Sequence, residues 1–210
     1  MPIVTLPGGE VRDEVRQPLY DTIELLDGQG LVGVYNFFSS VVVASGPYAG
    51  TPKTIAKTNM TTPGQLQTAV SFRIQGLCLD AMVAESSAGA WENVSVIPTI
   101  LNRGGLLLNV GVKTYWQGPA RFAAGRMTEY GIGSAATPAV LLQQYGWAAV
   151  QPVIFAGRHV VDVNPLQNFL VQLSVNQQDL TTAEKNIVVA PGTDISLVAS
   201  LKGLMRRPVQ

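Results

Sequence analysis

The sequence predicts an all-β protein built from two packed sheets, and three observations carry that expectation. Glycine and proline, 21 and 13 of 210 residues, are spread along the chain and cut the apolar runs into short pieces bounded by turns. Those runs are rich in Val, Ile, Leu, Phe and Tyr, side chains that suit a pleated, half-buried surface. No long segment keeps a helical period of apolar residues.

In chain order, residues 1–20 hold Pro2, Pro7, Pro18 and the charged patch Glu10–Arg16, and read as an extended N-terminal arm. Residues 21–202 read as the folded domain and 203–210 as a basic tail. Tyr20–Gly28 suits either a short helix capped by Asp21, with Glu24 three residues on, or an edge strand. Leu31–Ala44 reads as a long strand and Ser45–Pro63 as a polar loop. Ala69–Ala84 alternates, with Val70, Phe72 and Ile74 on one face and Ser71, Arg73 and Gln75 on the other.

Val94–Leu101 and Leu106–Trp116 read as strands joined by a hairpin turn at Asn102-Arg103-Gly104-Gly105. Leu106, Leu108, Val110 and Val112 share one face of the second. Thr137–Tyr145 suits a short helix with Pro138 near its first turn. Strands follow at Ala148–Ala156, Arg158–Val163, Asn168–Val175, Asn186–Ala190 and Asp194–Lys202, with a turn at Pro191-Gly192. Eight to ten strands with long Gly/Pro loops favour a single jelly-roll or Greek-key β-sandwich over an up-and-down barrel.

Composition narrows the function. Charged residues are 13% of the chain, about half the usual share of roughly 25%, and fourteen bases balance fourteen acids. A sparsely charged, neutral surface promotes association, so much of it is expected to lie against other copies of the chain. Neutrality also argues against a dedicated nucleic-acid binder. The start of the chain lacks the basic cap and apolar stretch of a secretory signal, and no segment reads as a spanning helix.

The chemistry of an enzyme is hard to assemble. One histidine, His159, and one cysteine, Cys78, exclude a zinc site built mainly from those ligands. Cys78 sits in the apolar run Ile74–Leu79 and reads as a small buried hydrophobe. Asp162 follows His159 by three residues, but no Gly-x-Ser-x-Gly elbow accompanies them. Gly131-Ile132-Gly133 is too short for a dinucleotide loop. Asp21, Glu24 and Asp27 read as a solvated face and match a calcium loop poorly. No catalytic, cofactor-binding or metal-binding residue is expected.

Tyr115, Trp116, Arg121, Phe122, Arg126 and Tyr130 fall within sixteen residues, and such side chains dominate interface hot spots. A carbohydrate-binding sandwich with Tyr115, Trp116 or Trp147 as a stacking platform is the competing class. Residues 10–27 carry six acids and two bases whereas the C-terminus is basic, so the oppositely charged ends are candidates for pairing between subunits.

The stretch Pro52-Lys53-Thr54-Ile55-Ala56-Lys57-Thr58-Asn59-Met60, followed by Pro63-Gly64-Gln65-Leu66, is similar to the segment leading into an early sandwich strand in coat proteins of membrane-containing bacterial viruses. Ser71-Phe72-Arg73-Ile74 resembles the strand it introduces. The resemblance, to jelly-roll capsid proteins of tailless icosahedral viruses, implies a virion protein that assembles in the host cytoplasm into capsomers and then a shell. Its implied partners are other copies of itself, other capsid proteins and an internal membrane. An accessory virion protein, such as a spike base or a cement or neck component, is the alternative in the same class. The loops Ser45–Pro63 and Gly118–Pro138 are the expected contact regions, with Tyr48, Lys53, Lys57, Tyr115, Trp116, Arg121, Arg126 and Tyr130 as the candidate intersubunit residues.

Overall fold

A computed structural model of the chain describes residues 3–5, 11–44, 47–83, 96–124, 153–156, 160–189 and 194–209. Among them lie eleven strand segments and one α-helix. The strands are β1 (Ile3–Thr5), β2 (Val11–Arg16), β3 (Leu19–Leu25), β4 (Gly33–Phe37), β5 (Ser71–Val83), β6 (Gly105–Val110), β7 (Lys113–Pro119), β8 (Val153–Ile154), β9 (Val161–Val163), β10 (Phe169–Val175) and β11 (Ile195–Pro208). The helix α1 spans Val96–Arg103. Every pairing between strands is antiparallel, and the strands form two sheets.

The larger sheet is organised by β11. One edge of β11 pairs with β3 through Ile195–Leu201 and then with β2 through Leu204–Pro208. The two partners lie end to end, separated at Gln17-Pro18, where proline has no N–H to give the ladder. The other edge of β11 pairs with β5 along its length, and β5 in turn carries β8 and β9. The smaller sheet runs β4-β10-β6-β7.

Alternation buries one face of each sheet. On β10, Phe169, Val171, Leu173 and Val175 are buried and the residues between are half-buried. Leu106, Leu108 and Val110 of β6 and Ile195, Leu197, Ala199 and Leu201 of β11 do the same. The two inner faces meet in one continuous hydrophobic core that includes Phe37, Phe72, Ile74 and Leu77. Each large side chain fully removed from water there contributes about 1.5–3 kcal/mol. This is a mostly β sandwich, as the sequence predicts.

Several boundaries differ from the expectation. Val94–Leu101 contributes to a helix rather than a strand, with Val96, Ile97, Ile100 and Leu101 buried on one face. That spacing is helical, and Pro98 falls in the first turn, where a missing N–H costs nothing. The expected turn at Asn102–Gly105 is the end of α1, closed by the Gly104 N–H donating to the Ile100 carbonyl at 2.8 Å. Leu106–Trp116 is a hairpin and not one strand: Gly111 (φ 59°) reverses the chain, leaving Val112 fully exposed. Leu31–Ala44 supplies only the five-residue β4, and around Asn186–Ala190 there is a 3₁₀ turn and a single bridge from Val188 to Gly30.

The segment read as an arm contains β2 and the start of β3, and the segment read as a basic tail is the last part of β11. Tyr20–Gly28 resolves as strand β3. The turn at Pro191-Gly192 and the helix at Thr137–Tyr145 lie outside the described residues.

Candidate functional site

Asp21 sits on β3 directly opposite Ala199 of β11, on the face turned into the sandwich. Its side chain is fully buried and its two oxygens are both engaged. Oδ1 accepts from Lys53 Nζ at 2.7 Å and Oδ2 from the backbone N–H of Phe38 at 2.6 Å. Lys53 Nζ also donates to the Thr22 carbonyl at 2.9 Å, and its side chain is nearly as buried as that of Asp21. The reading of Asp21 as part of a solvated face is therefore corrected. In a strand, positions 21 and 24 point to opposite faces, so Asp21 turns inward while Glu24 stays near the surface.

Phe38, whose N–H donates to this carboxylate, has φ 66°, a conformation that costs a bulky side chain on the order of 1–3 kcal/mol. It is held there from three sides. Besides the Asp21 bond, its carbonyl accepts from Gly64 N–H at 2.5 Å, and its ring tilts against Phe169 with centroids 5.3 Å apart. Gly64 then accepts from Phe169 N–H at 2.8 Å.

The loop after β4 is fastened along β3. Thr58 Oγ1 donates to the Tyr20 carbonyl at 3.1 Å, Asn59 Oδ1 accepts from Tyr20 N–H at 3.0 Å, and Asn59 Nδ2 donates to the Pro18 carbonyl at 2.7 Å. The Tyr20 hydroxyl donates to the Ile55 carbonyl, and Lys57 Nζ lies 2.6 Å from Glu24 Oε1. A cleft remains between this loop, β3 and β4, with Ile23, Val34, Val42 and Lys57 in its walls. Of the residues expected at contacts between copies, Lys53 is turned inward, Lys57 is paired at the cleft, and Tyr48 is exposed on a turn.

At the opposite edge of the smaller sheet, β7 brings Tyr115 and Trp116 together but does not expose both. Tyr115 is exposed. Trp116 pairs with Leu108 and is half-buried against the core. Its ring lies over Gly118, where a Cβ would meet Trp116 Cζ2 at 3.0 Å. Arg121 lies over the exposed Phe122 ring, 5.4 Å from its centroid. Arg126, Tyr130, Trp147 and His159 lie outside the described residues.

Charge is divided unevenly between the sheets. The strands of the larger one carry twelve charged side chains, including Arg12, Asp13, Glu14 and Arg16 on β2 and Lys202, Arg206 and Arg207 on β11. Those of the smaller one carry a single charge, Lys113, where β7 leaves the hairpin turn. The oppositely charged ends of the chain do pair, but within one copy: Arg206 Nε lies 2.8 Å from Glu14 Oε2. Asp162 is engaged by Arg73 through two bonds of 2.9 and 3.3 Å, which also holds the Arg73 guanidinium firmly protonated.

Cys78 is free and buried, and burial pushes its thiol above the ordinary value of 9.0. That makes it a weak nucleophile. Among the described residues, no group of three His, Cys, Asp or Glu is placed to hold a metal ion, and no helix is long and apolar enough to cross a membrane.

No family model matches the chain. No curated protein and no solved structure matches it either.

Sequence reasoning missed the buried pair because Lys53 lies 32 positions after Asp21. It also missed the uncharged sheet, although the signal was present. The segments Gly33–Phe37, Gly105–Val110 and Phe169–Val175 contain no ionisable residue other than Tyr35.

Proposed function

We propose that the chain is a self-assembling structural protein, a jelly-roll coat subunit of an icosahedral virion. The observation that carries the jelly-roll part of the reading is the pattern of strand partners among the described residues. Count β2 with β3 as one interrupted strand and β8 with β9 as another, and set aside the short β1. The first strand then pairs with the eighth, the second with the seventh, the third with the sixth and the fourth with the fifth. A long antiparallel ribbon rolled into two sheets would give this order, which supports the jelly-roll reading. Lectins and cupins use the same roll, so the fold alone does not select a coat protein.

Two further features favour assembly. The chain has no net charge and few charged residues, which lowers both the repulsion between copies and the cost of desolvating their contacts. The Ser45–Pro63 loop keeps two large apolar side chains, Tyr48 and Ile55, in water. Contacts between many identical copies, closed by symmetry, would generate the shell.

The test is the mass distribution of the purified protein by light scattering and negative-stain imaging over a series of concentrations and salt. Rings, capsomers or shells are the expected result. One small oligomer at every concentration would replace the coat subunit with an accessory virion component, and a monomer throughout would overturn the reading.

A further inference from the structure

We infer that the outer face of the four-stranded sheet is where one copy of the chain meets a second copy; the inference rests on the assembly reading above. This face presents Val34 and Asn36 from β4, Leu170 and Gln172 from β10, and Leu107 and Asn109 from β6. Among the described residues, β4, β6 and β10 bring no charge to it, and Val34 is 58% exposed.

The polar groups on the face are already partly satisfied by one another. Gln172 Nε2 donates to Asn36 Oδ1 at 2.7 Å, and Thr114 Oγ1 donates to Asn109 Oδ1 at 2.7 Å. Covering a polar group is costly when its hydrogen bond is lost, and these bonds run sideways within the sheet, where a covering surface does not break them. Leu107, Leu170 and Val34 supply the apolar area between them.

Symmetry makes a second copy the fitting occupant. In a two-fold contact each patch meets itself, so a charge near the axis faces its own like. The charges on the outer side of the other sheet, Arg73 and Asp162 among them, would meet such repulsion, and the neutral face does not. A lipid surface fits less well, because the face offers no basic side chains to headgroups and interleaves amides with its apolar residues.

Size sets the strength. Four strands about 4.8 Å apart and roughly 20 Å long cover about 400 Å² in projection. A standard interface buries about 800 Å² per partner. A contact through this face alone is therefore weak and concentration-dependent, a property suited to a subunit whose shell is stabilised by many contacts at once.

The experiment compares weight-average mass against concentration, by sedimentation equilibrium, for the intact chain, Gln172→Lys, Asn36→Lys and Ser196→Lys. Ser196 lies on the outer side of the larger sheet and serves as the control. Thermal unfolding of each variant checks that it folds. Gln172→Lys and Asn36→Lys are expected to raise the concentration needed for association at least tenfold, and Ser196→Lys to leave it unchanged. Mixing Gln172→Lys with Gln172→Glu is expected to restore association. If folded Gln172→Lys and Asn36→Lys associate like the intact chain, or Ser196→Lys weakens association as much as they do, the inference fails while the assembly reading stands. If the intact chain stays monomeric throughout, the assembly reading fails and takes the inference with it.

Discussion

Asp21 and Lys53 form a buried ion pair, 2.7 Å between Oδ1 and Nζ, that ties the first strand of the sandwich core to the loop crossing its end. The other carboxylate oxygen holds the N–H of Phe38 in its left-handed conformation. One side chain thus fixes a strand, a loop and a strained corner. Removing one partner leaves an uncompensated charge in the interior, which costs about 3–5 kcal/mol. Asp21→Ala and Lys53→Met are each expected to lose that much in urea unfolding. The double variant is expected to lose clearly less than the sum, because it strands no charge. Additive losses would show that the pair is not coupled.

Gly203 sits where the register between β11 and β5 slips after Lys202. A Cβ at this position would collide with the Arg73 carbonyl oxygen and come within 2.8 Å of Phe72 Cζ. Backbone cannot give way as a flexible side chain does, so Gly203→Ala is expected to destabilise by at least the roughly 1–3 kcal/mol of an overpacked core. Gly30→Ala is the contrast: nothing lies within 4 Å of its Cβ position and its φ is not positive. Its stability is expected to stay within about 0.5 kcal/mol of the parent or to rise slightly. Equal losses in the two variants would rule out the steric account.

These positions also mark how far the sequence could be read. β5, β6 and β10 were legible because their apolar residues recur every second position, and a period of two has one physical meaning. Val96, Ile97, Ile100 and Leu101 were misread because eight apolar-rich residues fit a strand or a helix, and only their one-and-four spacing favours the helix. Asp21, Glu24 and Asp27 looked alike in sequence and parted company once β3 formed. The long-range partners of Asp21 and Glu14 are Lys53, brought in by the loop after β4, and Arg206, brought in by the pairing of β2 with β11; local patterns encode neither. The uncharged face required knowing that β4, β6 and β10 lie side by side.

Cys78 is expected to resist thiol reagents in the folded protein and to react fully on unfolding, because it is buried and its pKa is raised by that burial. The same shift has a consequence for stability. A thiol whose folded pKa lies above its unfolded value favours the folded state fully below the ordinary value of 9.0. That contribution is lost as pH rises through the folded pKa. Between those two values the intact chain is therefore expected to lose more stability with rising pH than Cys78→Ala does. Parallel stability curves for the two would contradict the assignment, and rapid labelling of the native protein would contradict the burial.

Glu14 and Arg206 test whether the two ends of the chain belong to the sandwich. Each is less than one-fifth exposed, so their pair lies between the regime of surface pairs, worth about 0–1 kcal/mol, and that of buried ones, whose breakage costs about 3–5 kcal/mol. Glu14→Arg places two guanidinium groups together and is expected to destabilise. The swap Glu14→Arg with Arg206→Glu is expected to recover most of the loss, measured by denaturant midpoint. Ending the chain after Lys202 is a harsher test. It detaches β2 from the sheet, leaving it only the three-residue β1 as a partner, and exposes the edge of β5 at Ser71–Ile74, which pairs with Gly203–Arg206. Such a chain is expected to lose cooperative unfolding, whereas a free tail could be removed with no change in the transition.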